Sequence, residues 1–281
     1  FWLFYNLVLY LCKMHVLPST INEFLRLLEN EFGVVAEVNK GSASTFFIHL
    51  QNAEVSFVFY RSLYYPCTHA LVYFADRKVI HLDEDIYLLN KDVVMARITA
   101  FLGRSKRIYA RNTVVARINK RDALSFQEEH HLQVPLPGKY RYGLFYKGEL
   151  MSIAIFSGGR QMHAHESPYR SFELLRFCHK SSYLVVGGLS KLINGFVKEF
   201  HPSDVVTYVD RDWSDGKNYQ QLGFTEVGLI SPQKFYIHAK TGCRYDKKSY
   251  QALLEHLKTV GDDAVYYAVD NLGSIKMRYI V

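Results

Sequence analysis

The stretch TYVDRDWSDGKNYQQLGFTEVG, residues 207–228, sets a carboxylate and a phenol on either side of a polar turn. A β-like run ends at Asp210, a Gly-containing loop follows, and Tyr219 stands four residues ahead of Gly223 and Phe224. Such a pair could take a proton from one reacting group and give one to another, and the carboxylate could equally hold a metal. Either chemistry needs both side chains at the mouth of one pocket, so the elements that carry them decide the matter.

At 281 residues with 49% hydrophobic and 22% charged content, the chain is globular and long enough for one large domain or two ordinary ones. Ser19 or Thr20 can cap a helix that places Ile21, Phe24, Leu25, Leu27 and Leu28 on one face. GVVAEVN, STFFIHL, AEVSFVFY and ALVYFADRKVIHL then read as strands of one sheet. DEDIYLLNKDVVMARITAFLG is predicted helical in its second half, with Gly103 as the stop, which closes a first α/β unit at residue 105. The second unit, 106–281, opens with a strand and a helix starting near Lys120. A hairpin follows about Lys147 and Gly148, then the strand SFELLRFCHK and the amphipathic helix GGLSKLINGFVKEFH. DVVTYVDRDW is a strand, GKNYQQLGF a short helix, EVGLISPQKFYIH a strand, and the remainder a helix and two strands around Asn271-Leu272-Gly273.

Lys and Arg outnumber Asp and Glu by 34 to 27, a formal +7 that favours a polyanion if it clusters. Residues 102–121 concentrate it: Arg104, Lys106, Arg107, Arg111, Lys120 and Arg121, joined by Arg211 beside Asp210, are the candidate nucleic-acid contacts, and DNA is the expected partner. A solvated amphipathic connector explains the same stretch equally well. Cys12, Cys67, Cys178 and Cys243 form no C-x-x-C pair, which argues against a zinc knuckle or a disulfide framework and for a reducing compartment. The apolar run at residues 1–13 falls short of the roughly 20 residues a bilayer span needs, and it lacks the flanks of a signal peptide. No membrane partner and a cytoplasmic location are expected, and the run reads either as an extension upstream of Met14 or as a packed element.

The order helix, hairpin, strand, Gly-led helix, strand, short helix and strand, with YQQLGF in the short helix, resembles the GNAT superfamily of N-acetyltransferases. The resemblance implies a mixed central sheet, acetyl-coenzyme A or a related thioester as cofactor, and Tyr219 as proton donor to the departing thiolate. It also implies a pyrophosphate loop at Val186, Gly187, Gly188, Leu189, Ser190 and Lys191, although Leu184 or Val185 stands where Gln or Arg belongs. EEHHLQ, FELLRFC, VVGGLSKLINGFVK and VVTYVDRDW are more narrowly similar to phage and mobile-element GNAT-like domains, including the Mom type of DNA modification. That similarity implies site roles for His131 as base or metal ligand, Arg176 as a clamp on phosphate or carboxylate, Ser190, Asp210 and Tyr219, with Asp210 and His131 as possible metal ligands. Residues 14–105 resemble very-short-patch-repair-like endonuclease domains, but His49 replaces the expected Asp and only Glu54 lies close, so nuclease activity is not expected. Three functions follow as expectations: modification or binding of DNA, acetyl transfer to a small amine or protein, and a non-catalytic binding or structural role.

Overall fold

A computed structural model describes residues 17–74, 77–162, 169–260 and 264–281; the apolar run at 1–13 lies outside them. Helix α1 (Ser19–Phe32) follows Pro18, which occupies the cap position that Ser19 or Thr20 was expected to take, and buries Ile21, Phe24, Leu28 and Phe32 on one face. It stops at Gly33, whose φ of 59° suits a residue without a side chain. Strands β1 (Ala36–Lys40), β2 (Thr45–Leu50) and β3 (Val55–Tyr60) follow, then the short β4 (Cys67–Thr68) and β5 (Lys78–Asp83). The first sheet has the order β1-β2-β3-β5, antiparallel except for the parallel pair β3 and β5. The acidic stretch after β5 is helical as well, against expectation: α2 (Glu84–Leu89) runs into α3 (Lys91–Phe101) through a break at Asn90. Phe24, Phe57 and Tyr87 pack edge-to-face between α1, β3 and α2.

The second unit begins with β6 (Lys106–Tyr109), a 3-10 turn at Ala110–Asn112 and β7 (Val114–Arg117). Helix α4 (Lys120–His130) is capped by Asn119, which accepts from the Asp122 amide at 2.8 Å. Then come β8 (Tyr140–Tyr146), β9 (Glu149–Phe156), β10 (Arg160–Met162), β11 (Tyr169–His179), β12 (Tyr183–Val186), α5 (Gly188–Phe200), β13 (Asp204–Asp210), α6 (Lys217–Gln220) and β14 (Thr225–Ile230). The chain closes with β15 (Lys234–His238), β16 (Arg244–Asp246), α7 (Lys247–Val260), β17 (Tyr266–Asp270) and β18 (Ser274–Ile280). The large sheet has the order β14-β18-β13-β11-β9-β8-β7, with β10 beside β11 and β12 paired to β6. Helix α5 seals its core, with Phe196 stacked on Phe156 at 4.0 Å.

EVGLISPQKFYIH is two strands and not one, because the chain leaves the large sheet at residues 231–233, where Pro232 cannot donate to a ladder. Beyond that break, β15, β16 and β17 belong to a third sheet that pairs with β4. Ile237 and Val269 pack on Val58 and Tyr60 of β3. This covers the face of the first sheet opposite its helices, so β3 is buried along its whole length, and it draws part of the 106–281 segment into the first unit. His49 shares a hydrogen bond of 3.0 Å with Ser56 and meets Phe74 edge-on, while Glu54 is exposed. Among the described residues no helix is long and apolar enough to cross a membrane.

Candidate active site

Strands β11 and β13 run parallel but pair only over Ser171–Glu173 and Asp204–Val206. Past Glu173 the backbone ladder ends: Thr207 Oγ1 donates to the Leu174 carbonyl at 3.0 Å, and β11 carries an extra residue, Leu175, against β9. The strands separate there and leave a cavity of about 300 Å³. Its walls are residues 174–179 of β11 and 207–210 of β13, and the residues just after α4 line it as well. Val93, Ala96, Arg97, Ala100 and Phe101 also line it, so one face of α3 from the first unit forms part of the wall.

Four of the five expected catalytic residues meet here: His131, Arg176, Asp210 and Tyr219. Ser190 does not; it sits in the first turn of α5 away from the cavity lining, where only Leu189 of that helix reaches it. Asp210 has its carboxyl pushed up to about 6, by burial first and the nearby Asp212 second, against the Asp212 amide, Arg97 and Gln133. Its Oδ1 accepts from the Asp212 amide at 3.0 Å. Tyr219 lies edge-on to Phe224, and burial raises its phenol above the ordinary value although Thr207 and Arg97 oppose the shift. The phenol therefore keeps its proton at neutral pH.

Two assignments change in detail. His131 was expected as a base or metal ligand, but its Nδ1 accepts the Gln133 amide at 3.0 Å, so the neutral ring presents Nε2–H as a donor. Burial, with Arg97 and Arg176 nearby, pushes this imidazole down to about 3. Among the described residues Arg176 is bound to carbonyls and not to an acidic partner: it donates to Val134 at 3.1 Å and to Leu175 at 2.7 Å, which ties the segment after α4 to the bulge. Arg97, Lys78, Gln133 and Trp213 went unread in the sequence; a three-to-four-residue spacing on α3 was the one available sign of Arg97, and it could not say what the helix faces.

At the start of α5, Gly187 has a φ of 75°, a conformation L side chains rarely adopt. A Cβ on Gly188 would come within 3.1 Å of Val185 and 3.3 Å of Leu144. The Lys191 amide makes the first intrahelical bond, to Gly187, so the amides of Gly188, Leu189 and Ser190 are donors of a helix start that no described residue accepts from. The Lys191 ammonium, expected among the phosphate contacts, donates to the Ala110 and Thr113 carbonyls and fastens the 3-10 turn to the helix. Val186 is exposed and pairs with Tyr109 of β6, so the turn carrying Arg111 follows beside this helix start, while Lys106 and Arg107 stand opposite Tyr183 and Leu184 further down the pair and are exposed. Of the other expected nucleic-acid contacts, Lys120 and Arg121 are exposed on α4, Arg104 donates to the Phe32 carbonyl and Arg211 to the Leu272 carbonyl.

The large sheet is GNAT-like in its run of elements, with α4, the β8–β9 hairpin, β11, the glycine-led α5, β13, α6 and β14 in the implied order. Structural similarity extends to a Corynebacterium glutamicum protein described as histone acetyltransferase HPA2 and related acetyltransferase, at 13% identity and a TM-score of 0.37 over 60% of this chain and 97% of that one. The ribosomal-protein-S18-alanine N-acetyltransferase of Escherichia coli gives 13%, 0.37, 60% and 94%, respectively. A GNAT family acetyltransferase of Elizabethkingia anophelis with acetyl-coenzyme A bound gives 10%, 0.33, 60% and 99%. No protein-family model and no curated protein matches the chain. Overlap at this level fixes no activity; what the cavity can do depends on its own side chains.

A second polar cluster lies just beyond β13, where the two units meet. His69 Nδ1 bonds Asp212 at 2.9 Å and its Nε2 bonds Asp83 at 2.8 Å. Arg244 reaches Asp83 at 2.7 Å and both oxygens of Asp85 at 2.8 and 2.9 Å, and Ser62 donates to Asp85 at 2.6 Å. Burial alone would lower the His69 imidazole, but the two aspartates hold it up at about 10. His69, His81 and Asp212 place three ligand atoms within 4.8 Å of one another. Both nitrogens of His69 are already bound to carboxylates, however, so the group is an ion-pair network in this state and a metal would have to displace a proton from it.

Proposed function

We propose that the large sheet and its α3 wall form an acyltransferase site of the GNAT type, working on an amine held in the cavity. The observation that carries this reading is the gap between parallel strands β11 and β13, opened by the Leu175 bulge near the glycine-led helix start, with Asp210 and Tyr219 on its walls. The amides of Gly188, Leu189 and Ser190 fit the phosphates of a coenzyme A thioester, and the divergent strands fit an extended arm. Acetyl-coenzyme A or a related thioester would supply an activated acyl group there. Asp210, ionised above about 6, removes the proton from the acceptor amine. Tyr219, held protonated by burial, keeps a proton at Oη for the departing sulfur. His131 Nε2–H orients a bound oxygen, and Arg176 holds the bulge open through Val134 and Leu175.

The test is calorimetric titration of the whole chain with acetyl-coenzyme A. Saturable binding that weakens at least about tenfold in Gly187→Ala supports the reading, since a side chain there distorts the helix start; absence of binding sinks it.

Modification of DNA by a phage-type or Mom-type protein is a second reading. It is favoured by the exposed Lys106 and Arg107 on β6, by the exposed Arg111 in the turn beside the α5 start, and by Tyr109, which is 47% exposed with the Arg111 guanidinium 5.0 Å from its ring. In that case a base taken out of the helix would be the amine. Salt-dependent binding of single-stranded DNA that is lost on reversing Arg107 and Arg111 to Glu would promote it.

A further inference from the structure

We propose that the acceptor carries an oxyanion as well as its amine, and that Arg97 binds this oxyanion. The inference rests on the acyltransferase reading of the cavity for the amine, and on the cavity's charge for the oxyanion.

Cations outnumber carboxylates inside the cavity. Lys78, Arg97 and Arg176 line it, and Asp210 is the acidic residue among its lining. Lys180, which also lines it, is paired with Glu149 and is left out of the balance. Arg176 spends its donors on the Val134 and Leu175 carbonyls. Lys78 lies 3.7 Å from the centre of the Phe101 ring with no carboxylate of the described residues in ion-pair range, and burial first, with Arg97 and Lys217 adding to it, lowers its ammonium to about 8 against the opposing pull of Asp215.

Arg97 is the distinctive group. Its guanidinium lies 4.5 Å from the centre of the Trp213 ring, and no described residue accepts a hydrogen bond from it. Burial lowers its proton affinity and Asp210 restores it in part, which is the condition of a desolvated cation that lacks a bonded partner. A guanidinium held over an indole is positioned by it, and its fork of donors matches the two oxygens of a carboxylate or phosphate. Trp213 follows Asp210 by three residues, so the turn that supplies the proton acceptor also carries the ring that Arg97 rests against. An amine whose own oxyanion pairs with Arg97 would neutralise the surplus charge and hold its nitrogen near Asp210. A neutral amine would instead enter as an ammonium among uncompensated cations.

Three amines with a two-carbon spacer separate the possibilities: phosphoethanolamine, β-alanine and ethanolamine, each titrated calorimetrically into the full chain and into Arg97→Gln and Arg97→Met. Expected is a preference of about tenfold or more for one anionic amine over ethanolamine, abolished in both variants while their melting temperatures stay near that of the parent chain. Preference for phosphoethanolamine assigns the oxyanion as phosphate, and preference for β-alanine assigns it as carboxylate. Arg97→Lys, which keeps charge but not the fork, retains only part of the preference. Equal binding of the three amines, absence of measurable binding of either anionic amine, or a preference that survives in Arg97→Gln and Arg97→Met overturns the proposal. Titration of the parent chain with acetyl-coenzyme A in the same buffer tests the acyltransferase reading separately. A chain that binds an anionic amine through Arg97 but no thioester keeps the anion site and loses the transfer reaction.

Discussion

Asp210 and Asp212 stand two residues apart on the same turn and face opposite demands. Asp212 bonds His69 on one side and receives the Leu272 amide at 3.1 Å, inside a network whose described partners are all paired. Asp210 lies against the cavity, accepts one amide and a 3.5 Å contact from Gln133, and is left with a raised proton affinity. The difference lies in what surrounds each carboxylate. A buried acid saturated by cations and amides joins two units rigidly, whereas one left short of partners in a cavity keeps an affinity for protons that chemistry can use.

The contrast breaks most completely at Asp210. Asp210→Asn should cost acyl transfer about 10²- to 10⁴-fold in kcat. Its melting temperature should hold or rise, because a carboxyl whose folded value lies above its ordinary one loses stability as it ionises. His69→Ala should do the reverse. It takes the shared cation from between Asp83 and Asp212, leaving Asp83 to Arg244 and Asp212 to the Leu272 amide, and should lower unfolding free energy in urea by about 3 kcal/mol. Tyr219→Phe keeps the ring against Phe224 and removes the proton, so a loss of about 10²-fold in turnover is expected, with unfolding unchanged.

Acidity sharpens the contrast by a smaller margin. Transfer rate should climb with pH through about 6 as Asp210 ionises, and Asp210→Asn should flatten that limb. His69 is held up at about 10, so the stability it contributes is complete below its ordinary value near 6.5 and is lost as pH rises through about 10. Melting curves across that range should show the loss in the parent chain and not in His69→Ala.

Much of this arrangement was legible in the sequence because it is local. The hairpin about Lys147 and Gly148, the stripe on α5 and the strand ending at Asp210 follow from side-chain period and turn chemistry within a few residues. The meeting of His131, Arg176, Asp210 and Tyr219 was read through resemblance, and it holds in space. The directions of the Lys191 and Ser190 side chains were not legible, because a residue at a helix start can point toward a ligand or toward the neighbouring turn, and the pattern is the same for both. The network was invisible for another reason. His69 and Asp212 are 143 residues apart and Arg244 and Asp83 are 161 apart, and no period or spacing links such positions. The role of α3 was hidden likewise, since its apolar face predicts burial without naming the surface that covers it.

The path of the chain between the two sheets has a consequence for how the protein is made. Strand β13 waits for β18 as its neighbour, and β3 waits for β15 and β17 as its cover. A ribosome that has delivered α6 has released the whole cavity wall in sequence but not the strand that closes the sheet behind it. The first sheet keeps a bare face until residues 266–270 emerge and the large sheet an open edge until 274–280, so the nascent chain depends on late, long-range closure and is exposed to mispairing and chaperone capture.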